Sequence, residues 1–144
     1  MELGSLYTEL ILEHNRDTRN KKVIEDPTHV ERGVNPSCGD DIKLQLHVED
    51  GIIEDAAYTG TGCAISQASA SMMIDLIKGL SVEEALEKTE VFLGMITRKI
   101  DDIDYLEDEL DEATAFYNIK NMPARVKCAV LSWHTLKEVL NKDK

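Results

Sequence analysis

Apolar residues Leu3, Leu6, Tyr7, Leu10 and Ile11 recur at steps of three and four between Leu3 and His14. That period predicts an amphipathic helix packed on the core. The polar run 15–20 ends it, and Val30 to Val34 is expected to be extended. From Ile42 to Val48 the chain alternates, with Ile42, Leu44, Leu46 and Val48 on one face and Lys43, Gln45 and His47 on the other. This predicts a half-buried antiparallel strand with a wet outer face. Glu49-Asp50-Gly51 is a hairpin turn, Ile52 to Thr59 is the returning strand, and Gly60-Thr61-Gly62 interrupts it before Cys63.

Helical periods dominate the remainder. Ala64 to Lys78 buries Ile65, Ala68, Met72, Met73, Leu76 and Ile77. Its small residues, Ser66 and Ala68 to Ser71, allow close approach of another element, and Gly79 terminates it. Ser81-Val82-Glu83-Glu84 matches a capping box and opens a short helix. Ile100, Ile103, Leu106, Leu110, Ala113, Phe116 and Tyr117 keep helical period through Asp101 to Glu112, where eight of twelve residues are acidic. The apolar spacing makes that run a solvated helix face. Pro123 suits the first turn of a final helix, Ala124 to Asn141, which carries Cys128. The expected fold is α+β: a small antiparallel sheet of about three strands packed against several helices, in a single domain over residues 1–144.

The net charge of −12, from 16 basic and 28 acidic residues, argues against nucleic acid and acidic membrane surfaces as partners. A basic patch on a protein partner is the expected complement. No apolar run reaches membrane-span length, and Met1-Glu2-Leu3-Gly4 lacks the basic start of a secretory signal. Three cysteines are too few for a disulfide framework, so a reducing, cytoplasmic location is expected.

Chemistry concentrates at Asn35-Pro36-Ser37-Cys38-Gly39-Asp40-Asp41. Asn-Pro favours a turn and Gly39 tolerates angles closed to other residues, so Cys38 and Asp40 can face one small volume. A thiolate and a carboxylate that close call for a cation between them. Cys63 follows a glycine-flanked turn at a helix start, where backbone N–H groups stabilise a thiolate, and Cys128 lies early on another helix. Three thiolates and one carboxylate suit tetrahedral zinc and are equally usable by iron–sulfur chemistry. The gaps of 25 and 65 residues fit no zinc-finger spacing, which leaves separate inert cysteines as the alternative. A Cys/His hydrolase lacks a local histidine, and no Gly-Lys follows Gly60-Thr61-Gly62 to make a phosphate loop. His14, His29 and His47 are expected at the surface. Asp41 is either a solvated acid or a turn hydrogen-bonding group. Arg125, one helical turn before Cys128, either stabilises thiolate charge or pairs with an acid.

Three motifs in order resemble the IscU/SufU family: Asn35-Pro36-Ser37-Cys38-Gly39-Asp40, Gly60-Thr61-Gly62-Cys63-Ala64-Ile65-Ser66, and Arg125-Val126-Lys127-Cys128-Ala129 with Leu131 and Trp133. Leu6-Tyr7, Ile11, His14 and Arg19-Asn20 are similar to that family's opening helix. In the scaffold branch a histidine directly precedes the third cysteine; here the residue is Lys127. Met122-Pro123-Ala124-Arg125-Val126 stands where that branch carries a Leu-Pro-Pro-Val-Lys motif. Those features, and an added helix with the acidic run between Cys63 and Cys128, resemble the SufU branch. Thr18 departs from it, where proline is expected.

The resemblance implies a zinc-dependent sulfurtransferase. Cys38, Asp40, Cys63 and Cys128 would bind Zn2+, with Asp41 and Arg125 beside them. Cys38 would accept persulfide sulfur from a SufS-type, pyridoxal-phosphate-dependent cysteine desulfurase, a histidine of which takes the place of Cys38 on the metal. The sulfur would pass to downstream iron–sulfur cluster assembly proteins. The alternative is a scaffold that holds a [2Fe-2S] cluster on the same four ligands.

Overall fold

The computed structural model describes residues 3–142, with side chains from Glu9 onward. The expectations for Leu3, Leu6 and Tyr7 fall outside the described side chains. The chain runs α1 (Leu3–Arg16), β1 (His29–Asn35), β2 (Asp40–Glu49), β3 (Ile52–Thr61), α2 (Ala64–Ile77), α3 (Val82–Ile96), α4 (Ile103–Leu110), a 3-10 segment (Asp111–Asn121) and α5 (Pro123–Asn141). The expected α+β architecture is present: β1-β2-β3 form an antiparallel meander backed by helices. Asp50 and Gly51, both at positive φ, make the β2–β3 hairpin.

Alternation works on the inner face, where Ile42, Leu44, Leu46, Ala56 and Tyr58 are buried. It fails on the outer face at Gln45, which is 3% exposed. The chain after α1 crosses this face, from a Lys22–Tyr58 backbone bond beside β3 to a Thr28–Leu46 bond at β1. Gln45 is satisfied there by the Ile24 amide and the Lys22 carbonyl.

Behind the sheet, α2 and α5 pack closely because α2 presents small residues. Ser69 Oγ donates to the Ala129 carbonyl at 2.6 Å and accepts from Trp133 Nε1 at 2.9 Å. Trp133 stacks on Phe92 with centroids 4.1 Å apart. The capping box at Ser81 and Glu84 opens α3, and Gly79 at φ +87 ends the α2 turn. No helix among the described residues is long and apolar enough to cross a membrane.

Besides Gln45, the expected break of the returning strand at Gly60 is absent, since β3 runs on to Thr61 paired with Asp41, and two further expectations need correction. The acidic run is not one helix continuing to Phe116: α4 stops at Leu110, Asp111 turns at φ +51, and a 3-10 segment follows. Thr114 Oγ1 donates back to the Leu106 carbonyl across that corner. His14 is not a surface residue, being 3% exposed with Nδ1 2.8 Å from Ser71 Oγ and Nε2 2.9 Å from Glu112 Oε1. The corner at Asp111 brings Glu112 onto α1 and closes over it. His29 is half-buried at the start of β1. His47 is half-buried beside the crossing segment, with Nδ1 2.8 Å from the Asp26 carbonyl.

Candidate metal centre

The site forms where one end of the sheet meets the first turns of α2 and α5. Asn35 closes β1, and a four-residue turn with Gly39 at φ +71 leads into Asp40, the first residue of β2. The Cys38 amide donates to the Asn35 carbonyl, holding the turn shut. This short loop keeps Cys38 half-exposed while Asp40 turns inward, 1% exposed. Cys128 arrives from α5, fully buried. The donor atoms of Cys38, Asp40 and Cys128 lie within 4.8 Å of one another, with the two sulfurs 3.1 Å apart.

Asp40 is oriented by its surroundings. Its Oδ1 accepts from the Cys63 amide at 2.9 Å and from Ser66 Oγ at 3.0 Å. Asn35 Nδ2 approaches Oδ2 at 3.4 Å and Cys128 Sγ at 3.9 Å. Gly62 makes the approach possible, because a Cβ there would stand 2.5 Å from Ser66 Oγ and 2.8 Å from Asp40 Oδ1.

Cys63 caps α2: its Sγ accepts the Ser66 amide at 3.5 Å. It stands outside the 4.8 Å triangle of the other three donors yet bears on Cys128. Burial first, then hydrogen bonding to Cys38 and Cys63, pushes the Cys128 thiol far above its usual range. A metal-free Cys128 is therefore a thiol, and cation binding must displace its proton. The donor types fit zinc, which takes sulfur at about 2.3 Å and carboxylate oxygen at about 2.0–2.2 Å in a tetrahedron.

The other two sequence candidates lie apart from this cluster. Asp41 neighbours Asp40 but points away, bound through both oxygens to Arg32 at 2.8 and 2.6 Å, which holds its carboxyl below the ordinary value. It is a solvated acid in a surface ion pair and makes no turn hydrogen bond. Arg125 is exposed on the first turn of α5 and meets no carboxylate among the described residues. Asn35, Gly62 and Ser66 were not singled out as site residues by the sequence. Ser66 was visible as a small helix residue and as the end of the Gly60–Ser66 motif, and its bond to Asp40 was not.

An α+β domain that brings two thiols and a carboxylate within 4.8 Å at one end of a three-stranded sheet, with a third thiol beside them, carries a candidate metal centre. Its sequence matches the NifU-like N-terminal domain over residues 6–128, and the chain belongs to that family, which includes IscU and SufU. It is 44% identical over 142 residues to the iron–sulfur cluster assembly scaffold protein IscU of Thermotoga maritima, covering 99% of this chain and 97% of that one. It is 40% identical over 143 residues to the zinc-dependent sulfurtransferase SufU of Bacillus subtilis, covering 98% and 93%. Among solved structures, a SUF-system scaffold candidate of Fervidobacterium islandicum superposes with a TM-score of 0.86 at 38% identity, covering 94% of this chain and 97% of that one.

Proposed function

We propose that the protein is a zinc-dependent sulfurtransferase, accepting persulfide sulfur on Cys38 from a SufS-type cysteine desulfurase and passing it on for iron–sulfur cluster assembly. The observation that carries this reading is the asymmetry of the donors. Asp40 and Cys128 are buried and Cys63, half-exposed like Cys38, is held as the cap of α2, whereas Cys38 sits on a four-residue turn between β1 and β2, outside any helix or strand. The SufU relative supports zinc, and Lys127 in place of a histidine before Cys128 supports the transferase branch.

Cys38, Asp40, Cys63 and Cys128 would hold the zinc, which keeps bound thiols ionised while damping their nucleophilicity. Swung out on its turn, Cys38 attacks the outer sulfur of the donor persulfide as a thiolate. A new S–S bond forms to Cys38 and the donor's S–S bond breaks. The donor cysteine leaves as a thiolate, and the proton of the outer sulfur stays with it. Asp40, held through Oδ1, and buried Cys128 keep the remaining donors in place while Cys38 is away.

The scaffold reading uses the same residues and is favoured by the IscU relative. Metal and acid-labile sulfide, measured on protein purified without chelator, separate the two. About one zinc per chain without sulfide, and desulfurase stimulation lost in Cys38→Ala, is the expected result. Iron with matching sulfide, or a desulfurase indifferent to the wild-type zinc protein, overturns it.

A further inference from the structure

A second convergence of ligand-type side chains lies where α1, α2 and the Asp111 corner meet. His14 from the last turn of α1, Asp75 from α2 and Glu112 from the corner hold donor atoms within 4.8 Å of one another. His14 is buried, whereas Asp75 and Glu112 reach the surface. The group shares no donor with the thiol cluster. Ser71, which meets the His14 ring, lies about two turns along α2 from Cys63.

Asn20 joins these residues from the chain after α1. It is 1% exposed, and its Nδ2 donates to Asp75 Oδ1 at 2.9 Å, to Ser71 Oγ at 3.0 Å and to the Ser71 carbonyl at 3.1 Å. Those acceptors fix the amide, because turning it over would set its oxygen against three other oxygens. Oδ1, on the same planar group, is then a buried acceptor with no donor. An acceptor left so is costly, and a cation held by the neighbouring carboxylates satisfies it.

His14 is held as a ligand would be. Nδ1 lies 2.8 Å from Ser71 Oγ and Nε2 lies 2.9 Å from Glu112 Oε1. With Nδ1–H donating to Ser71 Oγ, the Nε2 lone pair faces the Glu112 carboxylate, and two acceptors so placed need a proton or a cation between them. A cleft of about 220 Å3 opens on the carboxylate side, where Met72, Leu76 and Leu110 stand beside Asp75 and Glu112. Its apolar wall strengthens the pull of both carboxylates on an ion. Arg19 meets Asp75 through the other oxygen, Oδ2, so Oδ1 stays with Asn20. The hairpin cluster of His47, Glu49 and Glu54 is as closely set, but none of its three residues is buried.

We propose that His14, Asp75, Glu112 and Asn20 form a site for a divalent first-row metal ion that ties α1 and α2 to the Asp111 corner. One imidazole, two carboxylates and an amide oxygen suit manganese, iron(II) or zinc. The 4.8 Å span closes onto an ion at about 2.0–2.2 Å from each donor by small rotations of the two surface carboxylates. The site does not rest on the transferase reading.

The test adds Mn2+ to the zinc-loaded protein and follows its amide signals by NMR, since manganese is too weak a thiolate ligand to displace zinc. Paramagnetic broadening should appear first at Asn20, Ser71 and Glu112, and the thermal midpoint should rise with Mn2+. Glu112→Gln and Asp75→Asn should each need about tenfold more Mn2+, or beyond, for the same broadening. Glu54→Gln, at the hairpin, should match wild type. Both altered carboxylates reach the surface, and the spectrum of each variant before Mn2+ checks that it is folded. Broadening centred on the hairpin or the thiol cluster, broadening spread over the acidic surface, or none at all overturns the site. So does an equal response in wild type and a folded Glu112→Gln, which would assign the ion to other groups.

Discussion

Replacing Ser66 by alanine tests whether Asp40 is a positioned donor or merely a nearby one. The Ser66 hydroxyl lies 3.0 Å from Asp40 Oδ1, 3.1 Å from the Cys63 carbonyl and 3.8 Å from Cys63 Sγ, at 1% exposure. Its single proton goes to the strongest acceptor, the carboxylate. Ser66→Ala leaves Oδ1 with the Cys63 amide alone. A hydrogen bond to a charged group contributes about 1.5–3 kcal/mol, and alanine returns a few tenths in helix propensity. The net loss is about 1–2.5 kcal/mol. Falling wholly on zinc binding, it weakens affinity roughly 5- to 60-fold. Competition with a chromophoric chelator reads the affinity, and urea unfolding of the metal-free protein reads the part that falls on the fold. Ser69→Ala is the control, since its bonds to Ala129 and Trp133 support only the α2–α5 contact. It should lower stability and leave affinity alone. Zinc affinity in Ser66→Ala within twofold of wild type, at an unchanged unfolding midpoint, would refute the argument.

Gly62→Ala drives a methyl into Ser66 Oγ and Asp40 Oδ1, so it should cost about 1–3 kcal/mol in urea unfolding and weaken zinc; wild-type values for both would show that the strand end yields. His14→Ala removes a buried ring held between Ser71 and Glu112 and should cost about 2–4 kcal/mol, with a loss below 1 kcal/mol meaning that the network supports little. Asp101 is held below its ordinary value first by the Tyr117 hydroxyl and then by Lys120. Its contribution is therefore complete above its unfolded-state value near 4 and lost as pH falls through the lower folded one. Asp101→Asn should lower the thermal midpoint at pH 7 and leave it unchanged below about pH 2; an equal effect at both would exclude the linkage.

Local chemistry was legible where neighbours in sequence decide the structure: the alternation from Ile42 to Leu46, the turn at Gly51, the capping box at Ser81 and the start of α5 at Pro123. The failures at Gln45 and His14 share one cause, the covering of an element by a segment distant in sequence. Gln45 and His14 occupy polar faces in their own periods, and both are buried by chain that folds over them. The break in the acidic run did leave a trace. Leu106 and Leu110 are four apart, but Ala113, Phe116 and Ile119 are three apart, which is the 3-10 period.

The site divides in the same way. The gap from Asp40 to Cys63 looks arbitrary until the hairpin register is drawn. The turn pairs Glu49 with Ile52, and a register shift between His47 and Val48 moves the pairing on by one residue, so that Asp41 meets Thr61 and Asp40 lies beside the Cys63 amide. The turn is legible in the sequence, whereas the shift that completes this half of the cluster is not. Cys128 has no such rule. It reaches Cys38 because α5 packs against β1, where Gly33 lets Thr135 press onto the strand with no room for a Cβ. That is a tertiary fact, which explains why the spacing did not join Cys128 to the others and only donor chemistry and the family resemblance did.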